Sequence, residues 1–98
     1  MDEFIASISM TAYVNSQVKT AYLSDYKIGD TFSFYDLDLS FKIVDLTEDS
    51  MVIELIDGND KYELTEDYLK LDEETEVINS KEKNLTVTIK VDSIKAMI

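Results

Sequence analysis

The sequence contains no cysteine and no histidine. Without thiols the chain has no disulfide, no thiolate metal site and no cysteine nucleophile. Without imidazole it also lacks the usual proton shuttle at neutral pH and most transition-metal sites. We therefore expect a protein that is not an enzyme and that binds no cofactor and no metal. The missing disulfides are typical of a reducing compartment, and we expect a cytoplasmic protein.

Proline is also absent, and glycine occurs only at Gly29 and Gly58. A chain of 98 residues without a Pro/Gly-rich linker, an internal repeat or a low-complexity tract is expected to form one domain over residues 1–98. The N-terminus carries Asp2 and Glu3 where a secretory signal carries basic residues, and no apolar run approaches the roughly 18 residues of a membrane span. We expect neither a signal peptide nor a membrane-inserted segment in this sequence.

Positive charge is scarce, because the chain has nine lysines and no arginine against 21 acidic residues, for a net charge of −12. This balance argues against direct contact with nucleic acid or anionic lipid. The acids concentrate between residues 45 and 76, where only Lys61 and Lys70 oppose them. One interpretation is an acidic docking surface for a basic partner, formed by Asp45, Glu48, Asp49, Asp57, Asp60, Glu63, Glu66, Asp67, Asp72, Glu73, Glu74 and Glu76. The simpler interpretation, that this charge only keeps a small β domain soluble, is favoured on charge alone because charge by itself carries no specificity.

Apolar residues recur at every second position, which is the period of a strand with one buried face. The longest example runs from Phe4 to Val14, and further strands are indicated at residues 31–35, 39–46, 51–56 and 85–92. Residues 17–23 suit a strand or a short helix. Because no segment is long enough for a parallel crossover helix, the pattern predicts an all-β fold, an antiparallel β-sandwich or small barrel of about six to eight strands.

Two features interrupt this alternation. Val44 and Leu46 have the opposite parity to Phe41 and Ile43, which predicts either burial on both faces or a β-bulge. The apolar segment 94–98 is expected to pack on the core or to contact another chain.

Polar turns are predicted at residues 47–50 and 57–60, the second followed by a short strand at 61–64. Thr65 precedes two acidic residues in the manner of a helix N-cap, so we predict one short helical turn near residues 65–70.

Oxygen ligands for calcium occur at residues 36–38 and 57–60, but neither segment has the EF-hand spacing. The turn at 57–60 is explained by a hairpin tip, with a weak calcium loop as the alternative. Serine next to lysine, as at Ser80 and Lys81, is common on protein surfaces and does not by itself indicate a hydrolase.

Two functional hypotheses follow. The first is a non-catalytic interaction or assembly module that binds another protein through a sheet edge or face, as a homo-oligomer or with a different partner. The second is a small acidic inhibitor, of the immunity type, that blocks a basic, nucleic-acid-binding enzyme by presenting carboxylates in place of phosphates.

Overall fold

The fold is built from β-strands, as seen in a computed structural model that describes residues 3–34 and 38–97. The described part contains eight strands and no helix, and it therefore has no helix that could cross a membrane. The prediction of an all-β fold is confirmed. Parts of three predicted segments lie outside the described residues. They are Tyr35 of the strand predicted at 31–35, Asp36 and Leu37 of the calcium segment 36–38, and Ile98 of the C-terminal segment. The strands are β1 (Glu3–Val14), β2 (Gln17–Tyr26), β3 (Thr31–Phe34), β4 (Leu39–Leu46), β5 (Ser50–Asp57), β6 (Tyr68–Lys70), β7 (Glu74–Ser80) and β8 (Leu85–Met97).

The strands form two antiparallel sheets of four strands each, as predicted for a β-sandwich. The first sheet has the order β2-β1-β8-β7, and the second has the order β3-β4-β5-β6. The two sheets are joined near β8 by a parallel bridge between Leu71 and Val91. The amide of Asp72 donates to the Val91 carbonyl at 2.9 Å at the same place.

One hydrophobic core lies between the sheets. In β1 the even-numbered residues from Ala6 to Ala12 are buried, as the alternation predicts, and the same pattern recurs in β8 and β4. Phe32 stacks on Phe41 with ring centroids 5.4 Å apart and meets Tyr26 edge-on at 6.1 Å. This aromatic group packs the end of β2 against β3 in the opposite sheet.

The mixed parity of β4 comes from a β-bulge. Pairing with β5 shifts between Ile43 and Asp45, so Val44 is the extra residue and is exposed. The extra residue returns Leu46 to the buried face. Of the two predicted alternatives, the bulge is therefore correct.

Residues 17–23 belong to a strand, which settles the choice between strand and helix. β1 and β2 form a hairpin in which Val14 pairs with Gln17. The two residues between them, Asn15 and Ser16, have φ values of 49° and 69°. Two consecutive positive φ values are those of a type I′ turn, whose twist matches that of the paired strands, and asparagine tolerates this conformation better than most residues.

The predicted helical turn at residues 65–70 is wrong, because Thr65 bonds to another strand instead of capping a helix. Its hydroxyl donates to the Glu76 carbonyl at 2.9 Å, and its amide donates to the Val77 carbonyl at 2.8 Å. Residues 68–70 form strand β6, which pairs with β5. The cap-like sequence therefore serves a tertiary contact with β7.

The predicted turns at 47–50 and 57–60 are present, but the predicted strand at 61–64 is not. The amides of Lys61 and Tyr62 both donate to the Gly58 carbonyl, at 3.0 and 2.8 Å, so the turn continues through these residues. The chain pairs back on β5 only at β6, after a loop over residues 58–67.

Candidate functional site

All twelve carboxylates of the predicted acidic docking surface are exposed. Within residues 3–34 and 38–97 the structure shows no ion pair at any of them; the ion pair in this region joins Lys61 Nζ to Asp38 Oδ2 at 3.9 Å. Within the described part of the chain, no carboxylate of this set is therefore neutralised by a lysine in direct contact, although Lys90 lies opposite Glu74 in the β7–β8 pairing.

Seven of these carboxylates lie along β7 or in the loops bonded to its side of the molecule. Glu74 and Glu76 are on β7 itself. The two hydrogen bonds of Thr65 hold the second half of the 58–67 loop against β7, and this half carries Glu63, Glu66 and Asp67. Asp72 and Glu73 directly precede the strand. The structure thus makes the β7 edge of the first sheet strongly acidic.

The remaining acids are divided between the two ends of β5. Asp49, beside Asp45 and Glu48 in sequence, lines an open cleft with Tyr68 and Lys70. At the other end, Asp57 and Asp60 line a second open cleft of about 460 Å³. β5 has eight residues, so these clefts are roughly 25 Å apart along the strand. The first cleft is also lined by Asp72 and Glu73, so it places Asp49 next to the acids that precede β7, whereas Asp57 and Asp60 lie at the far end of β5.

The part of the chain that the structure describes contains no group of three or more acidic side chains arranged to hold an ion. The hydroxyl oxygen of Ser80, which precedes Lys81, accepts a hydrogen bond from the Lys83 amide at 3.3 Å, as in an ordinary turn.

The opposite edge of the first sheet is almost free of charge. Residues 4–24, which cover most of β2 and all of β1 except Glu3, contain a single charged residue, Lys19. Lys19 pairs with the buried Ala12, so it lies on the inner side of the sheet. The outer side of β2 as far as Ser24 therefore carries no charge, in a chain of which 31% is charged.

This neutral outer side presents large apolar groups to solvent. Tyr22 is 78% exposed, Val18 is 61% exposed and Tyr13 is 45% exposed. Tyr13 pairs with Val18 across the hairpin, and the exposed Thr20 lies between Val18 and Tyr22 on the same face. We call the side chains of Tyr13, Val18, Thr20 and Tyr22, together with the unpaired side of β2, the β2 surface.

β2 is also a long open edge. It is the outer strand of its sheet and has ten residues, against four in β3 and three in β6, which are the edges of the second sheet. The other outer strand, β7, has two of its carbonyls occupied by Thr65. An open strand offers a row of backbone donors and acceptors to another chain.

Sequence reasoning located the acidic residues but missed the β2 surface. The sequence pattern does not contain the strand order, because an exposed tyrosine gives the same pattern on a central strand as on an edge strand. The available signal was the lack of charge over residues 4–24 combined with apolar side chains at both parities of the 17–23 segment.

Comparisons with known proteins give no relative from which a function could be transferred. No protein-family model, no curated protein and no solved structure matches the chain.

Proposed function

We propose that this chain is a non-catalytic interaction module that binds another protein chain through the β2 surface. The observation that carries the proposal is the coincidence of an open ten-residue edge strand with an uncharged outer face holding Val18 and Tyr22. In binding by strand addition, backbone hydrogen bonds of the edge supply affinity, and alternate side chains select the partner.

The composition of the β2 surface supports this role. The centres of protein interfaces are depleted in Asp, Glu and Lys and enriched in aromatic residues, tyrosine included. A tyrosine that is 78% exposed gains far more from burial at an interface than it does in the isolated domain. The acidic edge at β7 complements this arrangement, because covered and charged edges resist unwanted strand pairing.

The proposal is tested by affinity capture with a matched pair of variants. Tyr22→Lys places a charge on the β2 surface, whereas Tyr68→Lys makes the same chemical change at a 46% exposed tyrosine on the second sheet. We expect wild type and Tyr68→Lys to retain the same bound protein and Tyr22→Lys to lose it, with quantitative mass spectrometry as the readout.

Both variants should show the circular dichroism and unfolding midpoint of the wild type, since both tyrosines are exposed. If the two variants retain identical sets of proteins, the β2 surface does not bind and the proposal is rejected.

A second candidate is the acidic inhibitor of a basic enzyme. The observation that favours it is that all twelve carboxylates are exposed and, in the described residues, none has a lysine partner. Replacing Glu74 and Glu76 by glutamine should then weaken capture of a basic protein at low salt, and wild-type capture should fall steeply as salt rises. Recovery of no basic protein at low salt would rule this candidate out.

A further inference from the structure

We propose that the partner of the β2 surface is a second copy of this chain, paired antiparallel β2 to β2 about a two-fold axis at Thr20. The inference rests on the proposed function and specifies its partner. This β2-to-β2 pairing joins the first sheet of one copy to the first sheet of the other and makes one continuous eight-stranded sheet across the dimer.

The outer face of β2 is complementary to itself in this register. Antiparallel pairing centred on Thr20 places Val18 of one copy opposite Tyr22 of the other, twice by symmetry, with the two Thr20 side chains opposite each other. Pairs of an aromatic with a β-branched residue and pairs of threonines are among the favourable cross-strand contacts. The two most exposed apolar side chains of the described residues, at 78% and 61%, thus cover each other.

Electrostatics favours this edge for an acidic chain. Two copies with a net charge of −12 repel each other, so self-association needs a contact that keeps the carboxylates apart. In the joined sheet the two β7 strands are seven strand spacings apart, or about 34 Å. This separation is several times the Debye length of about 8 Å at physiological ionic strength. Lys19 falls opposite Ala21 of the second copy, so like charges do not meet within the paired strands.

The backbone also selects this register over one centred on Tyr22. Centring the pair on Tyr22 would place Lys19 opposite Asp25 of the second copy, which is attractive on charge alone. Asp25 has φ 64°, however, and pairing with β1 shifts between Leu23 and Tyr26. The extended strand is interrupted there. The register centred on Thr20 uses residues 17–23, which lie within β2 and have no positive φ value, and it avoids this interruption.

The contact is small, which determines the strength we expect. A single strand of this length per copy lies below the roughly 1,200 Å² of total buried area that characterises stable complexes. We therefore expect a weak dimer, with a dissociation constant between about 1 μM and 1 mM.

The first experiment is sedimentation of the full chain over a concentration series from about 10 μM to 1 mM. The expected result is a shift from monomer to dimer that stops at the dimer, because two-fold pairing uses up the edge. Tyr22→Lys removes both Val18–Tyr22 pairs with one substitution and should weaken dimerisation roughly tenfold or more, while Tyr68→Lys should leave it unchanged.

The second experiment uses the absence of native cysteine to test the register. In the proposed pairing the two residues at position 20 face each other, within the Cα separation of 4.4–6.8 Å that a disulfide needs. Residues at position 24 are offset by eight residues along the strand, or about 26 Å. On mild oxidation at high concentration, Thr20→Cys should give a covalent dimer much faster than Ser24→Cys, an exposed position on the same strand, or the surface control Tyr68→Cys.

The outcomes separate this inference from the proposed function. A monomer at every concentration, or Ser24→Cys crosslinking as fast as Thr20→Cys, overturns the second copy in this register. If a different protein is nevertheless captured in a Tyr22-dependent manner, the proposed function stands without this inference. If the chain is monomeric and nothing depends on Tyr22, both are rejected.

Discussion

The two glycines provide a comparison in which the same substitution should have different costs. Gly29 and Gly58 have φ values of 92° and 97°, which side chains other than hydrogen rarely adopt. An added Cβ at Gly29 meets nothing within 4 Å. Gly29→Ala therefore carries only the backbone cost, about 1–2 kcal/mol.

Gly58→Ala adds a steric cost to the same backbone cost. Its Cβ would lie 2.8 Å from Leu39 Cδ2 and 3.1 Å from the Asp38 carbonyl oxygen. Leu39 is 1% exposed and belongs to the core, so it has little room to move. Overpacking a core typically costs about 1–3 kcal/mol, so we expect about 2–5 kcal/mol in total.

Urea denaturation followed by tyrosine fluorescence or circular dichroism measures both free energies of unfolding. In thermal unfolding, the additional steric cost should place the melting temperature of Gly58→Ala at least about 4 °C below that of Gly29→Ala. Equal destabilisation by the two substitutions, or a larger effect at Gly29, would refute the close contact between the 57–60 turn and Leu39.

Three further predictions concern stability. Phe41→Ala should lower the free energy of unfolding by about 3–5 kcal/mol in denaturant titrations, because Phe41 is 0% exposed and stacks on Phe32. Tyr22→Ala should lower it by less than about 0.5 kcal/mol. Equal losses would contradict the assignment of Phe41 to the core and Tyr22 to the surface. Thr65→Val removes the hydroxyl that donates to Glu76 and should cost about 1 kcal/mol in the same assay, while the exposed Thr31→Val serves as a control that should be near neutral. Raising sodium chloride from about 20 to 300 mM should raise the melting temperature of the wild type by screening its carboxylates; a lower or unchanged melting temperature would show that their repulsion does not limit stability.

Local patterns predicted most of the strands because each strand has one buried face. β1 and β8 alternate without interruption as far as Val91, so period 2 was sufficient to identify them. Bulges were harder to place. β7 buries both Val77 and Ile78 because its pairing with β8 shifts between Glu76 and Ile78, and two adjacent apolar residues do not identify such a shift by themselves.

The error at residues 65–70 has a different origin. A threonine followed by acidic residues satisfies the local chemistry of a helix cap, but the Thr65 hydroxyl found its acceptor on β7, eleven residues away. Such a contact depends on which strands lie side by side, and strand order is a property of the whole fold. For the same reason the sequence identified the acidic residues without indicating which of them lie side by side, as Asp49 and Asp72 do.

The claim that β2 is the binding edge is tested most directly by residue-resolved amide hydrogen exchange. In dilute monomer, the β2 amides on the unpaired side should exchange rapidly, while those of the central strands β1 and β8 stay protected. When the chain is concentrated or a captured partner is added, the account predicts that new protection appears within residues 17–24. New protection confined to β3, β6 or the acidic loops, with β2 still exchanging rapidly, would contradict it.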